Sequence, residues 1–269
     1  MTRKLIFLGI VAIAVVAGAS TAVAQSPYRT QQPEPQTTSK GMAAIRHAAS
    51  ADKYLFVFFW KEKSQQTSAM WGVFQSAMGK VGDRAEAAAV NVSDAAEKPM
   101  VAKFGMDRSP LPLVLALAPN GAITKGFPSK FNEDQFSQAF VSPGTAACLK
   151  ALQARKLVLL CLQSRSPQVQ QVSLQQGVAD FAADTRFRGV TEIVSVDPAD
   201  PAEASFLQDL QVDPRAGGQT TVFLAPPGSV VGKFEGAVTK EQLIAKLQAA
   251  QSDPCAGGKC GPGGCGPKR

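Results

Sequence analysis

The sequence predicts an α/β fold laid down twice: two tandem domains, each a central mixed β-sheet flanked by helices. Three observations carry the prediction. The chain repeats itself at an interval of about 100 residues, two nearly all-apolar runs stand at matching places in the repeat, and each repeat ends in a hairpin signal followed by a helix. The 269 residues are 45% hydrophobic and 18% charged, a mix that suits a soluble globular protein. The formal charge is +7, of which Arg3 and Lys4 supply two, leaving +5 beyond residue 24. No basic run or aromatic-interleaved basic stripe appears, so nothing points to nucleic acid as a partner.

Residues 1–24 read as a signal peptide. Arg3 and Lys4 form a cationic start, Leu5 to Ala17 is an apolar run broken only by Gly9, and Ala22-Val23-Ala24 supplies the small-x-small cleavage pattern, making Gln25 the first mature residue. That run of 13 residues falls short of the ~20 needed to span a bilayer, and no later stretch is long enough. The mature chain is therefore expected to be exported, periplasmic or secreted, with no transmembrane segment and in a compartment that permits disulfides. Residues 25–40, rich in Pro and Gln, read as a flexible linker.

The repeat sets the domains at 41–142 and 143–250. Gly41-Met42-Ala43-Ala44-Ile45 aligns with Gly144-Thr145-Ala146-Ala147-Cys148 at an offset of 103, and Lys53–Phe58 aligns with Lys156–Cys161 at the same offset. Each copy opens on an Ala-rich helix (41–50, 144–154). A strand follows, Tyr54–Trp60 or Leu157–Leu162, apolar enough for a central strand buried on both faces. An amphipathic helix comes next, with Met70, Trp71, Phe74 and Met78 on one face and Val169, Val172, Val178, Ala179 and Ala182 as counterparts. A second strand (Ala87–Val92, Thr191–Val196) and a short helix lead to a hairpin. Its strands are Leu113–Leu117 and Ile123–Gly126 in one copy, Thr220–Leu224 and Val230–Phe234 in the other. A helix closes each copy, Glu133–Phe140 and Lys240–Ala249.

This order of elements, with Phe59-Trp60-Lys61-Glu62 at the end of the first strand, Leu111-Pro112-Leu113 before the hairpin and Asn120-Gly121 at its turn, resembles the thioredoxin family. The resemblance implies two tandem thioredoxin-like domains, with a cis-proline at Pro112. It also locates the positions where a dithiol enzyme of this family carries its two thiols, at the start of the helix after the first strand. Those positions fall on Ser64 and Thr67, in Ser64-Gln65-Gln66-Thr67, and the family's proton-relaying acid falls on Phe58. In the second copy the window lies near Pro167 and Gln170, and Gln219 stands at the cis-proline position. Ser64, Thr67 and Pro112 are thus degenerate active-site positions: a hydroxyl forms no disulfide, Ser64 and Thr67 read as helix-capping residues, and Pro112 keeps the loop that can pair with an extended peptide.

His47 is the only histidine and stands among Ala and Ile, with no ligand or triad partner at useful spacing. The five cysteines fall into two classes. Cys148 stands where Ile45 does and Cys161 where Phe58 does, both core positions where cysteine acts as a small hydrophobe, with a structural disulfide between helix and strand as the alternative. Cys255, Cys260 and Cys265 lie in the Gly/Pro-rich tail, residues 251–269, with four-residue spacers. Three thiolates without histidine suit Cu(I), and an odd thiol count equally suits disulfide-linked self-association.

Three functional expectations follow. One is an exported, redox-inactive thioredoxin-like protein, a binding or scaffolding module for a protein or peptide, with no catalytic residues and no cofactor. Another is a thiol-active, oxidoreductase-like or copper-handling factor working through Cys255, Cys260 and Cys265. The third is a structural protein cross-linked at the cell surface through the tail.

Overall fold

The computed structural model describes residues 39–163, 176–213 and 219–252. The expected signal peptide, nearly all of the linker, Pro167, Gln170 and the three tail cysteines lie outside the described residues. The first half runs α1 (Lys40–Ser50), β1 (Tyr54–Trp60), α2 (Gln65–Val81), β2 (Ala85–Asn91), α3 (Lys98–Phe104), β3 (Leu113–Leu117) and β4 (Ile123–Pro128), closed by a 3-10 segment at Glu133–Ala139. The second half repeats it as α4 (Pro143–Gln153), β5 (Leu157–Leu162), α5 (Gln176–Ala183), β6 (Thr191–Val196), α6 (Ala204–Asp209), β7 (Thr220–Ala225), β8 (Ser229–Glu235) and α7 (Lys240–Ser252).

Each half forms a four-stranded sheet, in the orders β2-β1-β3-β4 and β6-β5-β7-β8. β1 and β5 are central: each runs parallel to one neighbour and antiparallel to the other. Burial on both faces explains their apolar sequences. Phe56 and Phe58 join Phe74, Phe127 and Phe136 on the α2 side, while Leu55, Val57 and Phe59 join Met100 and Met106 on the other. β2 begins at Ala85, two residues before the sequence pattern suggests, because the register pairs Tyr54 with Ala85. The closing element of the first copy is 3-10 rather than α-helical. Asn132 and Gln135 cap it reciprocally, and Phe136 stacks on Phe56 and Phe127 at 5.0 and 4.8 Å, so packing dictates a short turn.

The same alternation separates Cys148 from Cys161. Val158, Leu160 and Leu162 face α4 and cluster with Cys148, whereas Leu159 and Cys161 face Phe181 and Leu243 on the opposite side. Strand period two thus puts the sheet between the two sulfurs, and both thiols are free and buried. No bridge joins them.

Both halves carry a buried carboxylate that the sequence pattern does not single out. Glu97 is 4% exposed and accepts hydrogen bonds from the Ser39 hydroxyl at 2.6 Å and from the N–H groups of Lys40 (2.8 Å) and Gly41 (3.2 Å). Glu203, also 4% exposed, accepts from the Ser142 hydroxyl and from the Gly144 N–H at 2.8 Å. Each negative charge therefore sits against the N-terminus of the first helix of its half, where unpaired N–H groups and the helix dipole favour an anion. The glycines permit the approach: a Cβ on Gly41 would lie 2.9 Å from Glu97 Oε2, and one on Gly144 would lie 2.7 Å from Glu203 Oε2.

The junction is short. The Tyr54 hydroxyl donates to the Val141 carbonyl at 2.9 Å and accepts from the Val141 N–H at 3.0 Å, and the Arg84 guanidinium lies 4.0 Å over the Phe140 ring. From α4, the Gln153 side chain accepts from the Ile123 N–H at 2.9 Å and donates to the Ile123 carbonyl at 2.6 Å, so one amide serves both main-chain groups of a β4 residue. No helix of the described residues is long and apolar enough to cross a membrane.

Candidate functional site

The end of β1, the start of α2, the turn after β2 and the loop before β3 enclose a cleft of about 510 Å³. Ser64 is the N-cap of α2. Its extended backbone (φ −105°, ψ 167°) leaves the side chain free to turn back, and its hydroxyl accepts from the Thr67 N–H at 3.1 Å. The hydroxyls of Ser64 and Thr67 share a hydrogen bond at 3.0 Å, and the Ser68 hydroxyl donates to the Ser64 carbonyl. Ser64 and Thr67, singled out from the sequence, are thus side by side at the rim of the cleft, but only Ser64 caps the helix; the Thr67 hydroxyl meets that of Ser64 from inside the first turn. Leu111 lines the cleft beside them, and the peptide between Leu111 and Pro112 is cis. The Pro112 carbonyl accepts from the Ser129 N–H at 2.9 Å, which ties the loop to the end of β4.

Lys61, Glu62 and Asp107 are the ionisable groups of this cleft. Phe58, on the α2 face of the sheet, is 1% exposed and packs on Trp71 and Phe74 at ring distances of 5.2 and 5.5 Å, so the position holds packing rather than a proton carrier. His47 lies on α1, solvent-exposed, with Nδ1 2.8 Å from a Glu86 carboxylate oxygen. Nothing among the described residues activates either hydroxyl: their hydrogen bonds run to each other and to the helix backbone. The cleft offers hydroxyls, a helix N-terminus and apolar wall from Val92, Val101 and Leu111, which are means of binding.

In the second half, Gln219 stands where Pro112 does: its carbonyl accepts from the Gly236 N–H at 2.7 Å, as that of Pro112 does from Ser129. The thiols of this half are inward. Burial, with the Glu203 charge as a lesser contribution, pushes the Cys148 thiol up to about 12. Burial also pushes Cys161 up, against a hydrogen bond with Thr221 that pulls it down. Among the described residues no group of three or more His, Cys, Asp or Glu side chains is placed to hold a metal ion. The candidate ligands Cys255, Cys260 and Cys265 lie outside the described residues.

Sequence reasoning missed the far wall of the cleft, Ser93 after β2 and Asp107 and Ser109 before β3. It also missed a second depression beside Thr67, lined by both tryptophans. Trp71 at helical spacing reads as core, and only the bare neighbouring strand β2 reveals a groove.

A parallel pair extended by an antiparallel hairpin, a helix starting directly after the central strand, and a cis-proline before β3 give the first half a thioredoxin-like fold, and the second half repeats its sheet. Solved structures similar to this chain include thioredoxin O2 from Arabidopsis thaliana in the oxidised state (10% identity, TM-score 0.31, covering 38% of this chain and 84% of that one). The germline-specific thioredoxin Deadhead from Drosophila melanogaster (17%, TM-score 0.30, 38% and 90%) and the DsbH oxidoreductase (14%, TM-score 0.30, 42% and 90%) are also similar. No family model matches the chain, and no curated protein matches it.

Proposed function

We propose that the chain is an exported, redox-inactive tandem thioredoxin-like protein, a binding or scaffolding module whose first-domain cleft holds an extended peptide. The observation that carries this reading is the pairing of the Ser64 and Thr67 hydroxyls at 3.0 Å on the N-terminus of α2, in the cleft that Leu111 lines from the other side. Hydroxyls there cap the helix and exchange no electrons, while the cleft and its loop keep the shape that accepts a strand-like ligand. Insulin reduction by the full chain stays at background. Turnover that survives replacement of Cys255, Cys260 and Cys265 by Ser, and so runs through the thiols of the domains, overturns the reading. Binding of extended peptides is lost in Ser93→Trp, which fills the cleft. Export is tested separately by N-terminal sequencing of the secreted chain, expected to begin at Gln25.

A second reading rests on the even spacing of Cys255, Cys260 and Cys265. Three soft ligands bind Cu(I), or one thiol is left to cross-link two chains. Replacing all three by Ser abolishes Cu(I) uptake and disulfide-linked multimers. Persistence of either in that variant excludes the tail as the thiol-active element.

A further inference from the structure

We propose that the groove between Trp60 and Trp71 is a side-chain pocket for the ligand of the neighbouring cleft, selecting a peptide in which a large apolar residue is followed by an acidic one. The inference rests on the peptide-binding reading above and adds to it the class of peptide. The groove encloses about 340 Å³ beside the start of α2 and shares Thr67 with the cleft, so a single extended chain reaches both. Phe58 forms its buried floor, and Trp60 and Trp71, the only tryptophans of the chain, are both half-buried in its lining.

The groove exists because β2 is an edge strand with small side chains. Ala89 pairs with Phe58 in the parallel register, and both Ala87 and Ala89 are exposed on the face that α2 leaves bare. A larger side chain at position 89 would fill the space from within. Half-buried tryptophans around a pocket are the residues that anchor binding most often, because a rigid ring surrenders much apolar area at little entropic cost.

The polar groups around this apolar floor specify the sign of the ligand. Lys63 is the one charged residue in the groove, and it enters none of the ion pairs among the described residues. Indole N–H groups donate and never accept, and neither the Trp60 nor the Trp71 indole N–H has a hydrogen-bond partner among the described residues. The hydroxyls of Thr67 and Ser68 are already engaged with Ser64. An ammonium and two indole N–H groups make a donor-only rim around an apolar floor, whose complement is a large apolar group beside a carboxylate.

The tryptophans report the binding themselves. The full chain is titrated with acetyl-Ser-Ala-X-Z-Ala-Ser-amide peptides and intrinsic tryptophan fluorescence is recorded. The peptide with X Phe and Z Glu binds about tenfold or more tighter than the one with X Ala, the ratio expected for burying one large side chain. Changing Z from Glu to Lys weakens binding several-fold. Ala89→Phe removes the preference for Phe while the Ala peptide still binds, and Lys63→Glu, on an exposed side chain, reverses the preference at Z. Equal affinity for Phe and Ala peptides in the unmodified chain overturns this inference and leaves the cleft reading standing. A preference for Phe that persists in Ala89→Phe also overturns it. Binding of neither peptide overturns the cleft reading and this inference with it. Free 3-phenylpropionate binding as tightly as the Phe-Glu peptide shows that the groove serves small carboxylates, which overturns the assignment to peptide.

Discussion

Truncating Glu97 to Ala removes the acceptor of three hydrogen bonds at once. The Ser39 hydroxyl and the Gly41 N–H are buried, while the Lys40 N–H is only part-buried. An orphaned buried donor costs about 1–3 kcal/mol, so the two buried ones together set a range of about 2–6 kcal/mol. Ser39 also accepts from the Met42 N–H at 3.0 Å and keeps that bond, which argues for the lower half of the range, about 3 kcal/mol. Both tryptophans belong to the first half, so tryptophan-detected urea unfolding follows that half alone. With a slope of about 1.5 kcal/mol per molar urea, the midpoint falls by roughly 2 M. Glu97→Gln keeps one oxygen for the helix N–H groups and turns an amide toward Ser39, so it costs about half as much. Gly41→Ala tests the same contact from the helix side: the added Cβ presses on the carboxylate and on Met100 and Val90, outweighing the ~1 kcal/mol gain in helix propensity. A loss below about 0.5 kcal/mol for Glu97→Ala would refute the reasoning, since the donors would then be satisfied by water already.

Two further outcomes follow from the ionisable groups of the second half. With the tail cysteines replaced by Ser, the folded chain resists maleimide between pH 7 and 9, because Cys148 is pushed up to about 12 and Cys161 is also raised, and mass spectrometry finds two adducts only after denaturation. Rapid native labelling of either would mean that the core opens locally. The hydrogen bonds from Arg186 hold the Asp184 carboxyl well below the usual carboxylate range. A depressed folded value contributes stability that is present above the ordinary value of about 4 and is lost as pH falls through the folded one. Asp184→Asn therefore flattens the acid limb of the stability profile, and an unchanged limb below pH 4 shows that the pair does not form in solution.

The strands were the most legible part of the chain. β1 and β5 lie where the apolar runs place them, because central strands write their burial into the sequence without interruption, and β6, an edge strand, lies where the repeat places it. The closing helix of the first copy was misread, since Glu133–Ala139 has charge and apolar spacing compatible with α-helix and only the Phe136 stack decides otherwise. Ser64 and Thr67 were found through a family resemblance, and the capping role of Ser64 through residue type; Thr67, inside the first turn, does not cap. Glu97 and Glu203 were invisible as buried groups because a lone carboxylate reads as surface. The repeat did hold the signal, in Ser39-Lys40-Gly41 and Ser142-Pro143-Gly144, each with a Glu some 60 residues on. The groove was missed because its openness depends on what α2 fails to cover, a fact of tertiary placement that no local pattern records.

The amide of Gln153 has a consequence for solubility. An open four-stranded sheet leaves two rows of main-chain donors and acceptors along its outer strands, and such rows recruit other chains. By taking both the N–H and the carbonyl of Ile123, Gln153 stands in for one residue of a missing strand, so the second domain shields the border of the first. Pro128, which has no N–H to offer, ends the same strand. Duplication of the domain thus supplies a guard against stacking of like edges that a single copy lacks, and detaching α4 would leave the Ile123 end of β4 open to a neighbouring molecule.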